Sequence, residues 1–155
     1  MKLSAVLLFC IAISMLSIFS CRKDNVIDSG ERKQLLTGIK WLTVSSFSID
    51  SAGRQTDLFT GLSDYVKDDY LVFNADSSYE INANVIVEND SVSRIIDAGN
   101  WLLTPDAQYI ERFSTVFNTE YQPSEISELT SSSLVLLITS PSDRSRIRTH
   151  YQRIN

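Results

Sequence analysis

From Ser78 to Glu88 the chain reads SYEINANVIVE, with Tyr79, Ile81, Ala83, Val85 and Val87 on one face and Glu80, Asn82, Asn84 and Glu88 filling most of the other. A period of two places alternate side chains on opposite faces of an extended backbone, so this stretch predicts a half-buried strand. Similar segments recur at 39–49 (IKWLTVSSFSI), 69–74 (DYLVFN), 91–97 (SVSRIID), 100–104 (NWLLT), 108–117 (QYIERFSTVF), 124–130 (SEISELT), 133–139 (SLVLLIT) and 144–154 (RSRIRTHYQRI). Turn-forming runs such as NADSS, END, DAG, TPDA and SPSD separate them. These are about nine strands whose connections are too short for crossover helices, so the sheet is expected to be antiparallel and to form a barrel or sandwich. Two segments break the rhythm. DSGERKQLLTG predicts a turn or two of helix, starting at Asp28 or Ser29, burying Leu35 and Leu36 and stopping at Gly38. TDLFTGLSDYVKDD at 56–69 has room for a short helix or lid.

The first 20 residues follow a different pattern: Lys2, then the apolar run AVLLFCIAISMLSIF, then Ser20. A positive start, an apolar centre and a small residue before the break make an export signal. A membrane anchor would need about 20 uninterrupted apolar residues, and Ser4, Ser14 and Ser17 interrupt this run. IFSC at Ile18–Cys21 resembles the bacterial lipobox, although Phe19 is bulkier than that pattern usually carries. The resemblance implies cleavage before Cys21 and acylation of Cys21, with fatty acids such as palmitate giving the two or more chains that stable anchoring requires. The alternative is ordinary secretion with Cys21 as a free thiol. The chain therefore divides into a signal at 1–20, a lipidated cysteine and polar tether at 21–30, and one domain at 31–155. Cys10 leaves with the signal, so an acylated Cys21 leaves no thiol for a disulfide or metal site. Arg22 differs from the aspartate that resembles an inner-membrane retention signal, which favours the outer membrane of a Gram-negative cell, at its periplasmic face or surface.

Charge narrows the partners. With Lys2 removed, 13 basic residues face 19 acidic ones, a balance of −6, and an acidic domain repels nucleic acid. His150 is the only histidine, so a histidine metal triad is excluded. No G-x-S-x-G elbow is present and no acid–base pair stands out, so no catalytic residue, metal or cofactor is assigned. Asp57, Asp64, Asp68 and Asp69 concentrate carboxylates in one segment, but without calcium-loop spacing they read as a solvated acidic loop. Strict alternation puts Arg144, Arg146, Arg148 and His150 on one face of the last strand. This basic stripe is either a contact for an anionic envelope partner or a solvated outer face.

LTGIKWLTVSS, KDDYLVFNADSSYEI, GNWLLT and ISELTSSSLVLL resemble, in order and spacing, the lipocalin-like domains of small secreted bacterial lipoproteins, over nearly all of 35–155. The resemblance implies an all-β fold: an antiparallel up-and-down barrel of eight to nine strands, capped by the short N-terminal helix. It also implies that Trp41 packs against Arg148 or Arg153 as a cation–π pair closing the barrel. Two positions depart from the family pattern. Ser77 stands where the turn usually has glycine, and the cysteine that often precedes the paired aspartates is absent, so no disulfide carries over. Phe47, Phe73, Tyr79, Trp101 and Phe113 are the expected barrel lining. An eight-strand interior is either filled by side chains or holds one small ligand. The functional expectation is a non-enzymatic outer-membrane lipoprotein binding a small hydrophobic ligand, or else a structural or interaction module of the envelope with a filled core.

Overall fold

The computed structural model describes residues 28–84 and 95–155. Its elements run α1 (Ser29–Leu36), β1 (Lys40–Ile49), β2 (Gln55–Asp57), α2 (Asp64–Lys67), β3 (Tyr70–Phe73), β4 (Ser78–Asn82), β5 (Ile95–Leu103), β6 (Tyr109–Ser114), β7 (Thr119–Glu120), β8 (Ser124–Leu129), β9 (Ser133–Thr139) and β10 (Arg146–Ile154). Strands β1, β3, β4, β5, β6, β8, β9 and β10 each pair antiparallel with the next, and β10 returns to β1 from Lys40 opposite Ile154 to Ile49 opposite Arg146. The result is a closed, eight-strand, up-and-down barrel, with β2 and β7 as short additions on β1 and β6. Closure removes the exposed edges that an open sheet would present.

Cross-strand partners share a face, so the register defines the interior. Trp41 opposes Leu71, Phe73 opposes Tyr79, Trp101 opposes Arg112, Leu103 opposes Ile110, and Leu129 opposes Leu134. Trp41, Phe73, Tyr79, Ile110 and Leu134 are completely buried. Each such large side chain stabilises the fold by about 1.5–3 kcal/mol relative to its exposed state. This packing fills one end of the barrel, where α1 sits as a plug. Leu36 is inserted in the core, its carbonyl accepts a bond from the Trp41 indole N–H at 3.2 Å, and Arg32 reaches the Ala107 carbonyl at 2.8 Å. The helix ends as its sequence predicts, with Gly38 at φ 70° turning the chain into β1.

Two turn readings have different outcomes. Ser77 does occupy the left-handed position of the β3–β4 turn, at φ 70°, a strain of about 1 kcal/mol for a residue with a Cβ. Asp76 offsets this by accepting bonds from the Ser78 amide at 2.9 Å and hydroxyl at 2.7 Å. DAG at 97–99, by contrast, is not a turn: β5 runs unbroken through it from Ile95 to Leu103. The glycine has another cause, because a Cβ at Gly99 would run into the Phe113 carbonyl oxygen and come within 3.0 Å of Ser114 Cα. Its place in the chain signals close strand approach. Of the strand expected over 78–88, Ser78–Asn82 forms β4, Ala83 and Asn84 follow it outside the strand, and residues 85–94 lie outside the described chain. The 56–69 segment holds the end of β2 and the short helix α2.

Candidate functional site

The two ends of the barrel differ. Connections 37–39, 74–77, 104–108 and 130–132 lie at the end that α1 closes, and those at 50–69, 115–118 and 140–145 lie at the other. Inward positions at the plugged end are bulky. Toward the other end, the register points Ser46, Ser48, Thr149, Gly99, Ser114 and Ser124 inward, all small side chains. Ile147 opposes Ser48 and Ile138 on this inner face, yet it is 41% exposed. Among the described residues, no helix plugs this second end as α1 plugs the first. Leu58, Leu62, Ile95, Val116 and Phe117 are exposed around it.

A polar cluster lies in the interior. Asp97, only 2% exposed, accepts hydrogen bonds at one carboxylate oxygen from the Tyr79 hydroxyl at 2.8 Å and the Tyr121 hydroxyl at 3.0 Å. The other oxygen accepts the Ser114 hydroxyl, and Ser114 in turn accepts the Phe117 amide at 2.9 Å. Three donors satisfy a carboxylate that burial would otherwise make costly. The Arg112 guanidinium lies 5.5 Å from the Tyr79 ring centroid and 5.0 Å from that of Tyr121. Burial, and then the bond to Asp97, push both phenols above their usual range, with Arg112 acting in the opposite direction. Burial raises Tyr151 as well, against Arg112 and a bond with Thr149. These tyrosines remain protonated donors at neutral pH.

The structure divides the expected lining. Phe73, Tyr79 and Trp101 are inside and belong to the packed end. Phe47 and Phe113 are not lining residues. Phe47 opposes Arg148 and Asp57 on the outer face, and Phe113, opposite Asn100 and Glu120, is 40% exposed. The reason for Phe47 is a register shift between Thr43 and Ser45, which reverses the inside–outside order along β1. The basic stripe is shorter than expected, since Arg144 sits at φ 57° in the β9–β10 turn. Arg146, Arg148 and His150 do share the outer face of β10, with His150 Nε2 3.0 Å from the Ser133 hydroxyl. Trp41 opposes Arg153 in register, but among the described residues no cation lies over its ring; Lys33 instead stands 5.8 Å from the Trp101 ring.

Among the described residues no group of three or more His, Cys, Asp or Glu side chains is gathered as a metal site, the aspartates of 57–69 included. Asp69 is raised to about 6, first by burial and then by the neighbouring charge of Asp68. No described helix is long and apolar enough to cross a membrane. Cys21 lies outside the described residues. Asp97, Arg112, Ser114 and Ser124 are not among the residues expected from the sequence. A signal was present in YIERFS, where Arg112 and Ser114 share the parity of buried Ile110.

Two clefts also mark the outer surface. One of about 340 Å³ lies between α1 and the β5–β6 turn, against Lys33, Trp101 and Pro105. Another, about 300 Å³, crosses the outside of β5 and β6 at Leu102, Glu111, Phe113 and Glu120.

No family model matches the chain, and no curated protein matches it. Among solved structures, a redesigned β-barrel is similar over 80% of this chain and 96% of its own, with 15% sequence identity and a TM-score of 0.39.

Proposed function

We propose that the protein is an outer-membrane lipoprotein, anchored through acylated Cys21, whose lipocalin-like barrel carries one small hydrophobic ligand and performs no chemistry on it. The observation that carries this reading is the asymmetry of the interior. Bulky side chains and the α1 plug fill one end, while Ser46, Ser48, Thr149 and Ser114 line the other beneath an exposed Ile147. Small inward residues in an eight-strand barrel leave space for a ligand, and apolar side chains around the mouth favour the approach of an apolar molecule. The test uses the full chain carrying Cys21→Ser, titrated with fatty acids and isoprenoids of increasing length. Affinity should climb by about 0.8 kcal/mol per buried methylene until the lumen is full, with a melting temperature that rises with ligand concentration. Absence of both responses removes the carrier.

A second reading, an interaction module of the envelope, draws on the outer surface. Leu102 and Phe113 are exposed along the β5–β6 cleft, and among the described residues Arg146 and Arg148 have no acidic partner. It predicts salt-sensitive capture of an anionic envelope component that is lost when Arg146 and Arg148 are neutralised.

A further inference from the structure

Arg112 shares the inner face of the barrel with Trp101, its cross-strand partner. Its Nε is buried without a hydrogen-bond partner, and it forms no salt bridge among the described residues. The carboxylate in its cluster is already engaged, because Asp97 takes the hydroxyls of Tyr79, Tyr121 and Ser114. The guanidinium therefore lies against the two tyrosine rings instead of forking onto a carboxylate. A second unsatisfied atom lies on the same inner wall. Ser124, completely buried, faces Ile110 across the β6–β8 pairing, two residues along β6 from Arg112, and its hydroxyl has no partner. A native interior rarely leaves such groups unpaired, because each one costs about 1–3 kcal/mol.

We propose that Arg112 and Ser124 form the headgroup subsite of the lumen, and that the ligand is an amphiphile ending in a carboxylate, such as a long-chain fatty acid. The inference rests on the barrel-carrier reading and adds the ligand's chemical class. A carboxylate supplies only acceptors, which is what a guanidinium N–H and a serine hydroxyl lack. The small inward residues toward the second end leave the path for the hydrocarbon chain.

The experiment compares a saturated fatty acid with the alcohol and methyl ester of equal length, by calorimetric titration of the full chain carrying Cys21→Ser at pH 8. The acid should bind about tenfold or more tightly than either neutral analogue. Ser124→Ala removes a hydroxyl that has no hydrogen-bond partner among the described residues, so the fold should hold while the preference for acid falls several-fold. Arg112→Met should abolish the preference, leaving acid and alcohol equal. Equal affinity of acid and alcohol for the unsubstituted barrel overturns the subsite and leaves the hydrophobic carrier standing. Binding of none of the three compounds overturns the carrier and the subsite together. An acid preference that survives Ser124→Ala and Arg112→Met undiminished places the headgroup elsewhere and refutes the assignment.

Discussion

Replacing Gly99 with alanine tests how closely β5 and β6 approach. The added Cβ would collide with the Phe113 carbonyl oxygen, lie 2.9 Å from its carbonyl carbon and lie 3.0 Å from Ser114 Cα. Carbon contacts settle at about 3.5–4.0 Å, and every obstructing atom here is backbone, so relief requires the two strands to part by roughly half an ångström or more. Parting stretches the ladder on either side, including the 2.8 Å bond from the Thr115 amide to the Ala98 carbonyl, and pulls Ser114 away from Asp97. Two ladder bonds at about 1 kcal/mol each and a weakened charged hydrogen bond sum to about 3 kcal/mol. For a domain of this size the melting temperature should fall by about 10 °C, followed by circular dichroism at 218 nm or by calorimetry. Asn100→Ala, one residue along and facing solvent, is the control and should change stability by no more than about 0.5 kcal/mol. A Gly99→Ala protein as stable as this control would refute the close approach and the account of why a glycine stands in mid-strand.

Two further outcomes probe polar groups inside and beside the barrel. Asp97→Asn keeps the volume but turns one acceptor into a donor facing hydroxyls, and should destabilise the fold by about 2 kcal/mol in urea unfolding, whereas Tyr121→Phe, with one bond lost, should cost about half as much. Asp69 has a folded pKa of about 6, above its unfolded value near 3.8, so the native state binds the proton more tightly. Stability attributable to this group is therefore fully present below about pH 4 and is lost as pH rises through 6. Asp69→Asn should flatten that slope and raise the melting temperature at pH 7; an unchanged slope would show that Asp69 titrates normally.

The alternation of apolar and polar residues was enough to specify strands and their antiparallel order, because the short connections forbid crossovers, but it left barrel and sandwich open; closure was decided by the pairing of β10 with β1. The helix before β1 was equally legible in its start at Asp28, its buried Leu36 and its stop at Gly38, although Asp28 makes no side-chain cap bond, since start and stop signals are local. Which side chains share the lumen was not local. Counting by twos from Trp41 places Phe47 inside, and only the register shift at Thr43–Ser45, set by how β1 meets β10, turns it outward. On β6 the aromatic face looked the better candidate for burial, yet Tyr109 and Phe113 face out while Arg112 and Ser114 face in. The inward charge is tolerable because Tyr79, Tyr121 and Asp97, brought from three other parts of the chain, supply rings, hydroxyls and a carboxylate around it. DAG resembled a turn because glycine usually marks one, but its meaning depended on a carbonyl fourteen residues away, at Phe113. A strand's face is a property of its own sequence only until a bulge or a neighbour intervenes. The candidate headgroup site lies beyond that limit, because it is made of pairs that exist only once the barrel has closed.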